Sequence, residues 1–348
     1  MKPIIRVLSL FFFMLFLSSC LSPQDNSMQI PPSLWGLQNK GQEINGKKGL
    51  QGIDINIIKA WEYTKGNADI IVGILDTGIQ IDSVYLQDSI YINDNEIPNN
   101  GIDDDNNGYI DDINGWNFFN NNNMIYDSYL HDYHGTYISG IISSSKTDAL
   151  IGIAPNVKIL PLKFISGSKG EIQDAIDAIA YAHKIGVRII NCSWDGIKYD
   201  ENLKKVIEQY SDILFICSAG KYMDDLNNTP VYPACYELPN VISVAAVDNR
   251  GELYEFTGYG DKADVAAPGV DIYSIMPDGD FTYSSGTSPA TAYVTGVAAL
   301  ILSYKPDINT ISLANIIKKG KKSIKSLKNK VSSGGIIDAY ECLKLVDR

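Results

Sequence analysis

The chain has 348 residues, 45% of them hydrophobic and 20% charged, which is enough for one large globular domain or two small ones. Its formal net charge of −12 excludes nucleic acid as an expected partner, because no broad basic surface is available to neutralise phosphates. The lysine-rich stretch at 316–330 is the one exception, and we interpret it as a solvated helix face and loop.

Residues 1–19 have the pattern of an export signal. Two basic residues precede an apolar run that is too short for a comfortable membrane span, and the sequence LSSC then ends at Cys20. LSSC resembles the bacterial lipobox, whose cysteine becomes the lipidated N-terminus; an ordinary secretory signal, and hence a secreted protein, is the alternative. We therefore expect a lipoprotein of the cell envelope that is anchored to a membrane at Cys20. A polar tether over 20–32 and one domain over 33–348 follow.

Apolar runs alternate with amphipathic segments along the rest of the chain. Near-continuous apolar runs predict strands at 69–76, 157–164, 187–194, 212–220 and 241–247. Helical spacing or buried helical composition predicts helices at 171–186, 201–211 and 288–304. This alternation predicts an α/β fold, with a mostly parallel central sheet that helices cover on both faces. In such sheets, functional residues collect beyond the carboxyl ends of the strands.

The segment 93–118 is rich in oxygen-bearing side chains. Hard ligands at short steps around the flexible Gly108 suit Ca²⁺, as in an EF-hand loop, although no glutamate closes the full EF pattern. The candidate ligands are Asp103, Asp105, Asn107, Asp111 and Asp112. A solvated acidic loop is the alternative, but so many carboxylates in ten residues would repel one another. We expect a structural calcium ion here.

Four cysteines follow the expected signal, and their spacing matches no zinc motif. They are Cys192, Cys217, Cys235 and Cys342. An even number of cysteines in an exported protein permits disulfides, and four cysteines allow three pairings among which the sequence does not choose.

Three segments carry residues for nucleophilic catalysis. Asp76 ends a predicted strand, His134 precedes Gly-Thr where we expect a helix to begin, and Ser288 follows Gly-Thr at another expected helix start. A serine hydroxyl becomes a good nucleophile when an imidazole takes its proton, and the imidazole needs a carboxylate to orient it. His131 lacks the following Gly-Thr, and His183 lies inside an amphipathic helix, so neither competes as the base.

The motifs DTGI, HGT, GIAP, YPA, AAPG and SSGTS occur in the order in which the subtilase family of serine peptidases carries them. The chain resembles this family, in its secreted, thermitase-like form, over nearly the whole segment after the expected tether. The resemblance implies a three-layer subtilisin-like fold, a peptide or protein substrate and a monomer. It also assigns catalytic roles to Asp76 as the orienting group, His134 as the base and Ser288 as the nucleophile.

The sequence departs from the family where the transition-state oxyanion is held. The family motif Ala-Gly-Asn reads Ala-Gly-Lys here, so Lys221 stands where an asparagine side chain donates to the oxyanion. A lysine ammonium is also a donor, but its longer stem must fold back to reach the same point. Slower catalysis, specialised catalysis and a pseudopeptidase that only binds peptides all remain open. Pro289, where methionine is common, is compatible with a helix start.

The resemblance also marks the substrate cleft. The segment Ser193, Trp194, Asp195 and Gly196 matches the strand that pairs with substrate backbone. Further candidate substrate-binding residues, at the end of the next predicted strand, are Ser218, Ala219 and Gly220. Asp195 replaces a glycine, so we expect a preference for Lys or Arg near the scissile bond, with an outward-pointing Asp195 as the alternative. A lipase-like enzyme is disfavoured, because no Gly-x-Ser-x-Gly elbow surrounds Ser288.

Overall fold

The computed structural model describes residues 29–144, 147 and 149–347. The expected export signal, Cys20 and most of the expected tether lie outside the described residues. Within the part of the chain that is described, no helix combines the length and hydropathy needed to cross a membrane.

Seven α-helices occur in the described chain. They are α1 Ile57–Ala60, α2 Tyr129–Ser143, α3 Ile172–Ile185, α4 Glu201–Gln209, α5 Thr287–Tyr304, α6 Thr310–Lys319 and α7 Ala339–Val346. Local signals set several of their ends. The Asp200 carboxylate caps α4 by accepting the N–H groups of Asn202 and Leu203, and Gly186 ends α3 at a left-handed φ of 88°.

The described strands number fifteen. They are β1 Glu43–Ile44, β2 Lys47–Lys48, β3 Ile71–Asp76, β4 Trp116–Asn117, β5 Lys158–Lys163, β6 Ile165–Ser166, β7 Lys169–Gly170, β8 Ile189–Cys192, β9 Leu214–Ser218, β10 Val241–Val247, β11 Val265–Pro268, β12 Ile272–Ile275, β13 Phe281–Ser284, β14 Lys321–Ser323 and β15 Gly335–Ile337. Nine form one sheet in the order β14-β15-β11-β10-β9-β8-β3-β5-β4, and three antiparallel pairs form small two-stranded sheets.

The nine-stranded sheet is parallel except for β14, which pairs antiparallel with β15. α5 packs across β8 to β11 and against α2 on one face, whereas α3 packs on β3 and β5 and against α4 on the other. Helices on both faces bury the central strands completely, as all seven residues of β10 show. The expected three-layer α/β architecture is confirmed, and one hydrophobic core extends through it.

The strands and helices expected from the sequence are present, with ends shifted by a few residues. One boundary is wrong: the helix that carries His134 begins at Tyr129 rather than at the histidine. Pro289 is the third residue of α5, not its first. The proline is still tolerated there, because the first four N–H groups of a helix have no acceptor within the helix.

The four cysteines of the described chain are free thiols, and all are buried. Cys192 and Cys217 lie directly opposite each other on β8 and β9. Burial raises the pKa of the Cys217 thiol well above its ordinary value, and the neighbouring Cys192 adds to that shift. None of the three disulfide pairings that the sequence left open forms in this structure.

Candidate active site

The parallel sheet brings the three catalytic candidates to one edge. Asp76 is the last residue of β3, Ser288 is the second residue of α5, and His134 lies in the second turn of α2. The His134 ring nitrogen Nδ1 lies 2.7 Å from Asp76 Oδ1, a hydrogen-bonding distance. Asp76 is 1% exposed, whereas the His134 side chain is 29% exposed, so the imidazole lies between a buried carboxylate and the surface.

Both hydrogen-bond partners of the Asp76 carboxylate lie at the same oxygen atom. Oδ1 accepts the Thr77 N–H at 2.6 Å as well as facing the imidazole, while the buried Oδ2 has no hydrogen-bond partner in the described chain. Burial of the imidazole lowers the pKa of His134, but the charge and hydrogen bond of Asp76 together raise it, so that it lies above the ordinary 6.5. Asp76 therefore makes His134 a stronger base than a free imidazole.

Hydrogen bonds from the turn after β3 fix the position of α2. The Gly135 N–H donates to Thr77 Oγ1 at 2.9 Å, and the Gln80 N–H donates to Thr136 Oγ1 at 2.9 Å. A Cβ on Gly135 would stand 2.6 Å from the Gly78 carbonyl oxygen, so only glycine can follow His134 at this approach. The Gly-Thr of the sequence motif thus serves to hold the histidine against Asp76.

A buried ion pair, which the sequence analysis missed, lies beneath this contact. The ammonium of Lys163, on β5, contacts the carboxylates of Asp132 and Asp127, the latter at 2.9 Å. Asp132 also accepts the N–H groups of Gly78, Asp127 and Ser128, which joins the turn after β3 to the start of α2. The available signal was the lysine itself, because a charge inside the apolar run VKILPLKF needs a buried partner.

Ser288 stands at the end of α5 that faces this edge. Its Oγ donates to the Ser193 carbonyl at 2.9 Å, and no hydrogen bond joins it to His134 in the described chain. Ser193 Oγ in turn donates to the Ser288 carbonyl at 3.0 Å, which ties α5 to the end of β8. Because Ser288 is in the first turn of α5, its N–H has no acceptor within the helix and is available to a ligand.

The expected substrate-binding residues flank Ser288 on both sides. Gly196 exchanges backbone hydrogen bonds of 2.9 and 2.8 Å with Tyr232, which precedes a cis peptide bond to Pro233. Trp194 packs edge-on against Phe164, with 4.9 Å between the ring centroids, and its buried indole nitrogen has no hydrogen-bond partner among the residues that the structure describes.

On the opposite wall the residues are Ser218, Ala219 and Gly220, all buried at the end of β9. Thr287, which precedes Ser288, has its Oγ1 2.6 Å from Ser218 Oγ and donates to the Gly220 carbonyl at 3.0 Å. These contacts fix the amino end of α5 against β9, as those of Ser193 fix it against β8.

Lys221 is exposed, and its ammonium lies 5.9 Å above the centre of the Tyr222 ring. It makes no hydrogen bond to Ser288 within the described chain. Asp195 is half-buried; burial raises the pKa of its carboxyl group, and the charge of Lys221 lowers it. The charge of Lys221 thus acts on Asp195, and the role of Lys221 as an oxyanion donor stays a prediction.

The acidic segment brings together two of the five predicted metal ligands. Asp105 and Asp112 converge with Glu96, and the nearest carboxylate oxygens of the three all lie within 4.8 Å of one another. Asp103 instead accepts the N–H groups of Asn107 and Gly108, while Asp111 accepts those of Asn100 and Gly101.

Asn107 contributes its side-chain amide rather than an oxygen to this group, donating to Asp105 and Asp112. Glu96 was not predicted as a ligand, because it precedes the alternating acidic pattern by several residues. The loop folds back through hydrogen bonds from the N–H groups of Asp104, Asp105 and Asp111 to the Glu96 carboxylate.

Comparison with known proteins identifies relatives of this chain. A model of the subtilase family matches residues 67–333. The chain is 31% identical over 259 residues to subtilisin-like protease 2 of Plasmodium falciparum (isolate 3D7), which covers 72% of this chain and 18% of that protein. It is also 31% identical over 249 residues to the thermophilic serine proteinase of Bacillus sp. (strain AK1), covering 70% and 55%. The chain therefore spans less than two thirds of the length of these curated relatives.

Among solved structures, a protease from Pseudoalteromonas arctica PAMC 21717 matches with a TM-score of 0.70 and 21% identity. The match covers 90% of this chain and 97% of that one. At this identity the likeness demonstrates a shared fold.

Replacing Lys163 by methionine should destabilise the fold by about 3–5 kcal/mol, because it leaves the Asp132 carboxylate buried without its cation. Urea unfolding of the variant measures this change in free energy. Lys158→Met, on the same strand, removes a lysine that reaches only the exposed Asp88 carbonyl and should cost about 1 kcal/mol at most. Equal losses for the two variants would contradict a structural role for the buried pair.

Proposed function

The chain belongs to the subtilase family, and on that premise we propose that it is a serine endopeptidase that cleaves through an acyl-enzyme on Ser288. The single observation that carries the proposal is the 2.7 Å contact of His134 with the buried Asp76, at the sheet edge where Ser288 lies in the first turn of α5. A buried carboxylate that orients an imidazole beside a helix-start serine is the arrangement that serine catalysis requires.

In the proposed reaction the Ser288 hydroxyl turns from the Ser193 carbonyl toward His134, which takes its proton as Oγ bonds to the substrate carbonyl carbon. His134 then gives that proton to the leaving amine as the peptide C–N bond breaks. Water enters in the second half and loses a proton to His134 as its oxygen bonds to the acyl carbon. His134 then returns that proton to Ser288 Oγ as the bond between Oγ and the acyl carbon breaks and the acid product leaves. Asp76 stabilises the imidazolium in both halves, and the Ser288 N–H donates to the oxyanion.

The proposed physiological task is the processing of a restricted set of exported peptides or proteins. We propose that the protein is a cell-envelope lipoprotein anchored at Cys20, with a secreted form as the alternative, and that it acts as a monomer. Asp195, half-buried in the cleft, supports a preference for Lys or Arg near the scissile bond. Profiling with a peptide library measures that preference, and equal cleavage beside acidic and basic residues would refute it.

A second candidate function is peptide binding without cleavage. Two observations favour it: Ser288 Oγ donates to a backbone carbonyl rather than to His134, and Lys221 lies on Tyr222 rather than against Ser288. Catalytic hydrogen bonds are often long or misaligned before substrate binds, so the first observation leaves the peptidase proposal intact.

We also propose a structural Ca²⁺ ion at Glu96, Asp105 and Asp112. Glu96 and Asp112 are buried, and three carboxylates this close repel one another unless a cation compensates their charge. Carboxylate oxygens are the ligands that Ca²⁺ prefers, so the residues present fit the ion. The ion would hold the acidic loop against α3. The loop already contacts this helix, because the hydroxyl of Tyr181 on α3 donates to Asp112 at 2.6 Å.

Peptide cleavage should require neutral His134. Since Asp76 raises the pKa of His134 above 6.5, kcat/KM should fall as the pH drops through that raised value, with its acid limb above pH 6.5. Steady-state kinetics across pH measure the limb. Asp76→Asn removes the charge that raises the pKa, so any residual activity should titrate at lower pH. An unchanged limb in that variant would contradict the assigned roles.

Replacing Lys221 by asparagine should raise kcat, on the order of 10², because a short amide in that position can donate to the oxyanion that the lysine does not reach. Turnover of a peptide substrate at saturation measures the effect. Lys221→Ala, which removes the charge without adding a donor, is the matched control and should bring no gain. A fall in kcat for both variants would instead make the lysine itself the donor.

Adding a calcium chelator should lower the midpoint of thermal unfolding, since an ion that binds only the folded state stabilises it by about 2.7 kcal/mol at a hundred times its Kd. Calorimetry with and without the chelator measures this shift. The shift should vanish in Asp112→Asn and persist in Asp103→Asn, because Asp103 only caps a turn. A midpoint that ignores the chelator in the wild-type chain would exclude the ion.

A further inference from the structure

One segment of this acidic chain is strongly basic. Residues 318–330 contain seven lysines and no acidic residue, within a protein of net charge −12. They form the end of α6, the edge strand β14 and a short 3₁₀ helix at Lys325–Leu327. The predicted solvated helix face and loop agree with the end of α6 but did not include the strand β14.

Part of this segment surrounds a cavity of about 450 Å³. Three lysines, Lys321, Lys325 and Lys328, line it and define what we call the lysine cavity. The hydroxyl-bearing side chains in its wall are Ser323, Ser332 and Ser333, and Asp261 is the acidic residue of the lining. The lining thus carries three positive charges against one negative charge.

The protein itself leaves most of this charge uncompensated. Lys325 and Lys328 are exposed and form no ion pair among the described residues, and Lys321 donates only to Ser323 Oγ, at 3.2 Å. Other lysines of the segment are already engaged: Lys318 pairs with Asp264 at 2.9 Å, and the Lys330 ammonium lies 4.4 Å above the centre of the Tyr259 ring.

A neighbouring cavity provides an internal comparison. It measures about 550 Å³ and is lined by two lysines, each of which has a carboxylate partner in the same lining. Lys262 lies 2.8 Å from Glu237, and Lys318 lies 2.9 Å from Asp264. That cavity needs no external anion, whereas the lysine cavity sets three lysines against one carboxylate, Asp261.

We propose that the lysine cavity binds a phosphate-bearing anion. A phosphate group carries more than one negative charge and several acceptor oxygens, which match converging ammonium and hydroxyl donors better than a single carboxylate does. The volume exceeds that of one phosphate, so the ligand is a polyphosphate or the phosphate headgroup of a lipid. Both ligands carry phosphate oxygens, which accept hydrogen bonds from the ammonium and hydroxyl groups of the cavity.

The site lies at the opposite end of the sheet from the catalytic edge. Ser332 and Ser333 donate backbone N–H groups to the Ala263 and Asp264 carbonyls, just before β11 begins. At the other end of β11, the Gly269 carbonyl accepts the N–H of Gly286, two residues before Ser288. An anionic surface bound at the lysine cavity therefore leaves the peptide cleft facing away from it and open to substrate.

The test measures binding of tripolyphosphate to the full-length chain by calorimetry at low ionic strength. Lys325→Gln combined with Lys328→Gln should weaken binding about tenfold or more, and added salt should weaken it further. The matched control combines Lys205→Gln with Lys305→Gln, which removes two exposed lysines elsewhere, each from a weak surface ion pair. Equal thermal midpoints show that both variants are folded.

A second arm compares vesicles of phosphatidylglycerol with vesicles of phosphatidylcholine. If the double cavity variant loses affinity for tripolyphosphate and for phosphatidylglycerol vesicles, a lipid headgroup is the ligand source. If only tripolyphosphate binding falls, the source is a free phosphate compound. Equal affinity of the cavity variant and the wild-type chain, or an equal loss in the control variant, would overturn the proposal.

Discussion

The parallel register of β3, β8, β9 and β11 is the constraint on which the candidate site depends. Because these strands run in the same direction, the residues that follow them meet at one edge. Asp76 ends β3, Ser193 follows β8, and Gly269 follows β11 beside the start of α5. Burial of the strands on both faces stabilises this register, since a shift would move apolar side chains out of the core.

Polar contacts then set the geometry that the sheet makes possible. Asp132 and Lys163 hold the start of α2 against the turn after β3, and this positions His134 within reach of Asp76. A buried charge pair contributes little net stability, but removing either member leaves a buried charge, so the pair confines α2 to one position. The acidic loop likewise brings carboxylates close together. Their mutual repulsion destabilises the loop, and a bound cation would offset that repulsion.

The sequence predicted the features that local patterns encode. Continuous apolar runs located the strands, and short motifs located Asp76, His134 and Ser288, because each motif contains the small residues that its own turn requires. The start of α2 at Tyr129 was missed, because the expected boundary rested on the Gly-Thr motif and the side chain of the N-cap residue Ser128 makes no capping hydrogen bond. Glu96 and the Lys163 pair were also missed, because their partners are distant in the chain and only the folded structure brings them together.

The central claim is that Asp76, His134 and Ser288 act as one proton relay. Labelling with a fluorophosphonate, at a pH above the raised pKa of His134, tests it most directly. Mass spectrometry of the digested protein should find the label on Ser288 in the wild-type chain and little or none in a folded His134→Ala variant. A wild-type chain that stays unlabelled, or a His134→Ala variant that labels as fast, would contradict the relay and leave a peptide-binding scaffold.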